Sequence, residues 1–363
     1  MERTPLPNPL PTSRGEGIGG SRDGPPPMTR PVVSICIPTY NRRELLSRAL
    51  RSCLAQTFQD FEIVITDNSS DDASEKLVAS LHEPRLRYHR NEANLGGIGN
   101  LAKVVSLASG KYLKLLMDDD LLKPRALEVM VDAFERHPTV GIVMAPMDLV
   151  DEEDRRIFPW FYVVRKMHYR YRYQVGDGLV AGRTALREFL VHDYPCCVPS
   201  GVLYRTECFQ KLGSFDPQCD FAIDLDMAMR IAAHYDFYYI DEVLSSWRCM
   251  AASHTSALHA QGFNIGAFYY ITRKALADPA VINLFEPRER ERLVRDSLFF
   301  CTGRAMLNCL AGLRARRWKI IAGTLGLIRR EDPFLWNKLR LPWFLFCQVL
   351  ISFVPPRKPL PKE

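Results

Sequence analysis

The sequence predicts an α/β fold in which a Rossmann-like, mainly parallel sheet is sandwiched by helices and followed by a C-terminal helical appendage. Two observations support this fold class. From residue 31 to residue 146, short apolar runs alternate with segments whose apolar residues recur at helical spacing, which is the pattern of successive βαβ units. After about residue 257 only the helical pattern remains, in residues 286–311 and 315–328.

The predicted strands and helices alternate along the chain, and local sequence patterns predict them. The first apolar run is continuous and predicts a buried strand, and the next segment carries Leu46, Leu50 and Cys53 at helical spacing. The second helix opens with carboxylates, which suit the positive end of a helix dipole, and Gly110 closes the third. The predicted strands are 32–38, 61–67, 85–89, 111–117 and 140–146, and the predicted helices are 41–56, 71–81, 94–109 and 124–137.

The composition is that of a globular protein. Of the 363 residues, 47% are hydrophobic and 25% are charged, which excludes wholesale disorder, collagen and a coiled-coil rod. No run reaches the ~18 consecutive apolar residues of a spanning helix, and the N-terminus lacks a signal-peptide pattern. The ten cysteines include no Cys-x-x-Cys pair, which favours reduced thiols over disulfides or zinc. We therefore expect a cytoplasmic protein.

Residues 1–30 form a Pro/Gly-rich leader. We expect this leader to be disordered, because it cannot bury enough apolar surface to offset the entropy of ordering. Its low complexity ends at Met28, just before the first strand. We hypothesise that translation begins at Met28, and an intact mass that includes Met1 would refute this.

Polar side chains follow three of the predicted strands, at residues 39–41, 67–68 and 118–120. Ligands of parallel sheets bind at this edge. The three consecutive carboxylates of residues 118–120 repel one another, and a cation or basic ligand reduces that cost. Oxygen ligands suit Mg²⁺ or Mn²⁺. The alternative is a solvated loop in which Asp120 caps the following helix.

Five motifs, in order and at suitable spacing, resemble the nucleotide half of family 2 glycosyltransferases, which have the GT-A fold. The resemblance covers about residues 31–256 and implies an inverting, metal-dependent transferase. It divides the chain into a nucleotide-sugar half (31–147), an acceptor half (148–256) and a helical, basic C-terminal region (257–363). The motifs are ICIPTYNR at 35–42, QTFQDFEIV at 56–64, DNSSDD at 67–72, NLGG at 94–97 and MDDD at 117–120.

The resemblance implies that a nucleotide-diphosphosugar donor, expected to be a UDP-sugar, lies across the strand ends. Asp67 is then expected to contact the nucleoside, and Thr66 stands where the commonest family pattern has an acidic residue. The other donor-binding candidates are the loop residues that hold base and ribose, Pro38, Thr39, Tyr40 and Asn41, together with Asn94. For Thr39, the alternative is a simple turn former.

The family's Asp-x-Asp motif maps onto Asp118 and Asp120, with Asp119 between them. The resemblance implies that one carboxylate reaches the ribose or a metal-bound water. Another would bind the divalent cation, Mn²⁺ or Mg²⁺, that bridges the diphosphate. A cation there stabilises the negative charge of the leaving nucleoside diphosphate. His254, after Trp247-Arg248, is a candidate metal or phosphate contact, and the alternative is a surface-loop histidine.

The match returns in the acceptor half, at PSGVLYR (199–205) and LGSFD (212–216). In the following DLDMAMR (224–230), Asp224 matches the aspartate that acts as catalytic base in the family. Ile223 stands where the family often has Glu, and desolvation by Ile223 is expected to raise the base's pKa. The alternative role of Asp224 is to cap a helix. Arg230 is predicted to form an ion pair or to pack.

Two other functions remain open on the sequence alone. Gly97 and Gly99, with Asp118 about twenty residues later, fit the dinucleotide fingerprint and would indicate an NAD-dependent oxidoreductase. A polar stretch separates these glycines from their strand, which weakens that fingerprint. The second alternative is a catalytically silent carbohydrate-binding protein.

The C-terminal region is basic. From residue 310 onward, eleven Lys or Arg face three Asp or Glu. The segment 336–354 is bulky and flanked by cations and tryptophans, which suits an interfacial helix on an anionic membrane, and the alternative is a core helix. The expected partners are the donor, a saccharide or polyprenyl-linked acceptor and an anionic membrane at its inner face, with no nucleic acid.

Overall fold

Strands and helices alternate through the first half of the chain, as the sequence predicts. The structure, a computed structural model, describes residues 30–157, 178–192, 198–250, 265–314 and 316–332. Its strands are β1 (Val33–Thr39), β2 (Phe61–Asp67), β3 (Leu86–Arg90), β4 (Tyr112–Leu115), β5 (Leu121–Leu122), β6 (Val140–Met144), β7 (Met147–Val150), β8 (Arg156–Ile157), β9 (Gly178–Val180), β10 (Val202–Arg205), β11 (Asp236–Tyr239) and β12 (Ser245–Arg248). Its helices are α1 (Arg43–Leu54), α2 (Ala73–Ser80), α3 (Gly96–Ser106), α4 (Ala126–Arg136), α5 (Gly182–Val191), α6 (Thr206–Leu212), α7 (Ile223–Ala232), α8 (Ile265–Ala277), α9 (Pro279–Ile282), α10 (Pro287–Arg314) and α11 (Trp318–Glu331).

The central sheet is mainly parallel, which confirms the predicted fold class. Its strand order is β3-β2-β1-β4-β10-β6-β11-β9. The pairs β3/β2, β2/β1, β1/β4 and β6/β11 are parallel, whereas β10 runs antiparallel between β4 and β6. Since β1, β2 and β4 are parallel neighbours, their carboxyl ends meet at one edge, where the predicted site residues lie.

A second, smaller sheet lies beside this edge and was not predicted. Its order is β5-β12-β7-β8. Strand β5 comes directly after the acidic triplet, and β12 pairs with it through Ser245 and Ser246. This pairing brings Arg248, at the end of β12, next to the triplet.

Both faces of the central sheet are buried. Along β1, Ile35 and Ile37 belong to one apolar cluster and Cys36 to the other, because successive side chains of a strand point to opposite faces. A sheet covered on both sides explains the continuous apolar runs in the sequence.

The structure shifts the predicted ends of several elements. The third helix ends at Ser106 rather than residue 109, and the chain then turns so that Gly110 lies against β1. A Cβ at Gly110 would lie 2.5 Å from the backbone nitrogen of Ser34. Gly110 therefore serves a close approach of two backbone segments rather than only a helix end.

The C-terminal region is helical, as predicted, and its helices pack onto the α/β part of the chain. Phe268 of α8 and Cys301 of α10 share a buried cluster with Phe237 of β11. No helix in the described ranges is long and apolar enough to cross a membrane. The predicted boundary at residues 256/257, the leader before Arg30, His254 and the segment 336–354 lie outside the described residues, so those assignments stay predictions.

Candidate active site

The three predicted polar segments meet at one edge of the central sheet. Thr39, the last residue of β1, is the register partner of Asp67, the last residue of β2. On the other side of β1, Cys36 is the partner of Leu115, so the acidic loop that follows β4 begins beside the end of β1. Parallel pairing therefore places the predicted nucleotide loop between Asp67 and the triplet.

Thr39 and Arg42 hold the first two carboxylates of the triplet. The Thr39 hydroxyl donates to Asp118 Oδ2 at 2.7 Å. Arg42 Nη1 donates to Asp118 Oδ1 at 3.2 Å and to Asp119 Oδ2 at 2.9 Å. Thr39 is thus more than a turn former, and Arg42 is a site residue that the sequence analysis missed. Arg42 stands in the TYNR motif, and only the fold shows that this motif faces the triplet.

Arg248 and Ser200 hold the third carboxylate. Asp120 Oδ1 accepts the Arg248 backbone N–H at 3.0 Å, and the Ser200 hydroxyl also bonds to Asp120. The fully buried Arg248 guanidinium donates to the Asp119 carbonyl at 2.8 Å and pairs with Asp154. The Arg248 side chain thereby fixes the backbone of the acidic loop, a role that the Trp-Arg dipeptide alone did not reveal.

The carboxyl groups of the acidic loop disfavour one another's ionisation. Burial and the neighbouring Asp119 raise the pKa of Asp118 to about 6, although Arg42 opposes this effect. Burial and Asp119 raise the pKa of Asp120 well above the usual range of an aspartate. Beneath them, burial lowers the pKa of the Lys114 ammonium to about 7, and Lys114 donates to the Ser200 carbonyl at 2.6 Å. Such an arrangement favours the approach of a cation.

The carboxylate oxygens of the triplet are suitable ligands for a divalent cation. Asp118 and Asp120 are buried carboxylates with raised pKa values, and carboxylate oxygens are the ligands that Mg²⁺ and Mn²⁺ prefer. In the ranges described, no three His, Cys, Asp or Glu residues form a ready-made metal cluster. Asp118 and Asp120 could hold a cation only together with ligands from outside this set, such as diphosphate oxygens and water.

Asp67 lies fully buried at the end of β2. Its Oδ1 accepts the Ser69 backbone N–H at 2.7 Å, and its Oδ2 accepts the Tyr88 hydroxyl at 2.9 Å. The Ser69 hydroxyl in turn accepts the Asn41 N–H at 2.8 Å. Asp67 thus supports the backbone of the predicted nucleotide loop, in which Tyr40 is 48% exposed.

An asparagine network supports the same loop from below. Asn100 donates to the carbonyls of Thr39 and Thr66 at 3.1 and 3.2 Å, and the Thr66 hydroxyl donates back to the Asn100 carbonyl. Thr66 is buried and therefore faces α3 in the interior of the protein. Asn94 is exposed, and its Oδ1 accepts the Gly96 N–H at 2.8 Å at the start of α3.

Asp224 lies in the first turn of α7. It is half-buried, and burial raises its pKa to about 6. Its Oδ1 accepts the Leu225 N–H at 2.8 Å, while the N-cap position belongs to Ala222. Among the described residues, no hydrogen bond or ion pair joins Asp224 to the triplet. The turn before α7, Pro217–Ala222, contacts α3, so the two predicted halves meet next to Asp224.

The neighbouring acidic residue, Asp226, has a different environment. It is buried and pairs with Arg230 at 2.8 Å and with Lys274 of α8 at 2.8 Å. This confirms the ion-pair role predicted for Arg230. Asp216, which pairs with Lys274 at 2.6 Å, completes the network. Asp226 is therefore held by two cations, and Asp224 is not.

Solved structures with a similar fold are glycosyltransferases. The structure of S. aureus TarS 1-349 in complex with UDP-GlcNAc has a TM-score of 0.62 at 16% identity, with 88% of each chain covered. The mannosyltransferase PcManGT from Pyrobaculum calidifontis, in complex with GDP-Man and Mn2+, has a TM-score of 0.53 at 18% identity, covering 91% of this chain and 89% of that one. At these identities the likeness shows the fold alone.

Proteins with similar sequences, together with a family model, show to which family the chain belongs. An uncharacterised glycosyltransferase of Nostoc sp. is 37% identical over 189 residues, which is 51% of this chain and 54% of that protein. The GalNAc(5)-diNAcBac-PP-undecaprenol beta-1,3-glucosyltransferase of Campylobacter jejuni is 35% identical over 104 residues, 28% of this chain and 34% of that one. Residues 34–213, which span both the acidic triplet and the loop of Thr39, match the model for Glycosyl transferase family 2. The chain therefore belongs to this family and is a glycosyltransferase of the GT-A fold.

Proposed function

We propose that the enzyme transfers a sugar, with inversion, from a nucleotide-diphosphosugar to a saccharide acceptor carried on a polyprenyl diphosphate. The observation that carries this proposal is the buried acidic triplet beside the nucleotide loop, held there by Thr39 and Arg42. A site with an excess of carboxylates suits a donor that arrives with a cation. The family match covers Gly97, Gly99 and Asp118, on which the NAD-dependent alternative depended, and so argues against that alternative.

The donor would lie over the ends of β1 and β2. Tyr40 offers an exposed aromatic surface to the base, and the Asn41 N–H is fixed by Ser69. The predicted contacts of Pro38 and Asp67 with the nucleoside remain proposals. We take a UDP-sugar as the first candidate donor, and a GDP-sugar as the second because PcManGT is described with GDP-Man.

A divalent cation, Mn²⁺ or Mg²⁺, would be held by Asp118 and Asp120, with His254 as a further candidate ligand. When bound, the cation would stabilise the negative charge on the leaving diphosphate. Arg42 would keep Asp119 and Asp118 in place before and after the donor binds. These assignments rest on the preference of such cations for carboxylate oxygens and on the raised pKa values of Asp118 and Asp120.

Asp224 is the proposed general base. It would accept the proton of the acceptor hydroxyl as this oxygen attacks the anomeric carbon from the face opposite the nucleotide. A carboxylate with a pKa raised to about 6 is a stronger base than an ordinary aspartate. The bond to the Leu225 N–H engages Oδ1 and leaves Oδ2 for the acceptor.

The lipid-linked acceptor is proposed because the Campylobacter relative is named for an undecaprenol-linked substrate. An acceptor of this kind lies at a membrane, so we propose that the enzyme works in the cytoplasm at the inner face of the membrane. The bulky segment 336–354, within the basic C-terminal region, is the predicted contact with that surface.

Donor binding tests the proposal. In calorimetry with UDP-sugars, GDP-sugars and NAD, we expect a nucleotide sugar to bind in the presence of Mn²⁺ and much less in excess chelator. Asp120→Ala should weaken this binding, whereas Asp132→Ala, on the exposed face of α4, should not. Equal binding in chelator would refute metal dependence. Binding of NAD alone would favour the oxidoreductase, and binding of neither would favour a silent carbohydrate-binding protein.

A further inference from the structure

Helix α11 presents an unusual apolar stripe to solvent. Trp318 is 67% exposed and Leu325 is 43% exposed, and Ala322 between them is exposed as well. With about 3.6 residues per turn, these three positions and Arg329 fall within about 60° around the helix axis. A large aromatic and an aliphatic residue aligned on one exposed face indicate an interaction surface rather than scattered surface residues.

Cations without acidic partners surround this stripe. Arg316, Arg317, Lys319 and Arg329 are exposed, and none of the four has an ion pair within the described ranges. No acidic residue lies between Asp296 and Glu331, whereas seven Lys or Arg do. Among the described residues, most other exposed cations are paired, as Lys76 is with Asp72 and Arg136 with Asp132. The α11 face is therefore both apolar and strongly positive.

The opposite side of α11 is anchored in the protein. Thr324 and Ile328 are buried, and the Thr324 hydroxyl accepts a hydrogen bond from Asn308 of α10 at 3.2 Å. The helix is thus already formed and fixed before any partner arrives. A partner that covers the exposed stripe would gain apolar burial without the entropic cost of folding a segment.

We propose that the exposed face of α11 binds the surface of an anionic lipid bilayer. Trp318 and Leu325 would enter the boundary between headgroups and acyl chains, and the four cations would lie at the anionic headgroups, as in interfacial amphipathic helices. Charge complementarity selects an anionic partner, and the aligned Trp and Leu select one with an apolar interior. The proposed lipid-linked acceptor explains why membrane binding would be useful to the enzyme, and in this respect the inference rests on the proposed function. Binding to vesicles itself can be tested separately, because it needs neither sugar donor nor transfer.

The apolar contribution is tested with the full-length chain and vesicles of phosphatidylcholine alone or mixed with phosphatidylglycerol. We expect binding to the mixed vesicles, and Trp318→Ser/Leu325→Ser should lower the partition coefficient by about tenfold or more. The matched control is Leu179→Ser/Val294→Ser, which removes two other exposed apolar side chains and should bind like the unmodified chain. Trp318→Phe keeps an apolar ring and should retain most of the binding.

The charge contribution has its own pair of variants. Arg317→Gln/Lys319→Gln/Arg329→Gln should reduce binding by about a hundredfold at low salt, whereas Lys76→Gln/Arg125→Gln/Arg136→Gln removes the same charge elsewhere and should bind within a few-fold of the unmodified chain. All these side chains are exposed, so unchanged thermal unfolding is expected and is measured for each. Equal binding to neutral and anionic vesicles would overturn the proposal. So would full binding by both α11 variants, which would assign the membrane contact to another segment.

Discussion

Asp224 and Asp226 show how two carboxylates on one helix acquire different duties. Asp226 forms ion pairs with Arg230 and Lys274. The pair with Lys274 joins α7 to α8. Asp224 has only the Leu225 N–H as its described hydrogen-bond partner. The sequence identified Asp224 through its motif, but only the ion pairs of Asp226 show why the neighbouring aspartate is the poorer candidate for a base.

Replacing Asp224 by Asn tests its role as base. Asp224→Asn keeps the side-chain volume and the acceptor for the Leu225 N–H but removes the ability to take a proton. We expect kcat to fall by ~10² to 10⁴, while donor affinity, measured by calorimetry on the same preparation, barely changes. Asp226→Asn is the comparison: it should lower thermal stability, because Arg230 loses a charged partner, and it should affect kcat less. Near-normal transfer by Asp224→Asn would leave the helix-capping role as the better explanation.

The pH dependence of turnover gives an independent test of the same residue. A base must be deprotonated to act, and burial raises the pKa of Asp224 to about 6. Activity should therefore be lost as the pH falls through about 6, rather than near the ordinary aspartate value of ~3.9. The measurement is kcat against pH with saturating substrates and saturating Mn²⁺, which keeps Asp118 and Asp120 ionised. Under these conditions the residual activity of Asp224→Asn should lack the loss of activity near pH 6. A profile that stays flat down to about pH 5 would contradict the assignment.

At the scale of single elements, Gly110 shows how closely β1 and the start of β4 are packed. A Cβ at this position would lie 2.5 Å from Ser34 N and 2.8 Å from the Val33 carbonyl carbon, and backbone atoms cannot move aside cheaply. We expect Gly110→Ala to destabilise the protein by about 1–3 kcal/mol, measured by urea unfolding. Gly323→Ala in α11 has open space around it and should be neutral or slightly stabilising. Equal stability of the two variants would show that β1 tolerates the displacement.

The buried parallel strands could be predicted because each is a continuous apolar run, and β2 was placed at its observed ends. The small second sheet could not, since strands of two to four residues, such as β5 and β8, are too short to show a period. Arg42 and Arg248 were missed as supports of the triplet for a related reason: their contacts span 76 and 128 residues of sequence. The sequence motifs identify the carboxylates of the triplet, whereas the residues that bind these carboxylates can be identified only from the tertiary structure.

At the scale of the whole molecule, the C-terminal helices share one buried core with the acceptor half of the chain. The ring of Phe268, in α8, stacks edge-on against Phe221 with centroids 5.3 Å apart, and Phe221 belongs to the turn that leads into Asp224. Lys274 of the same helix reaches Asp216 and Asp226 on either side of that turn. The position of the proposed base therefore depends on residues that lie outside the matched family region, 34–213.

Phe268→Ala tests this dependence of the active site on the C-terminal helices. Removing a buried Phe leaves a cavity and should cost about 3–5 kcal/mol of stability, and because one core connects α8 with the sheet, unfolding should remain a single transition at a lower temperature. The loss of the Phe221 contact should also loosen the turn before Asp224, so kcat should fall while donor affinity, set at the ends of β1 and β2, is retained. Val294→Ala, on the exposed side of α10, is the control and should change neither quantity. Two separate unfolding transitions, with the donor protecting only one, would show instead that the C-terminal helices form an independent unit.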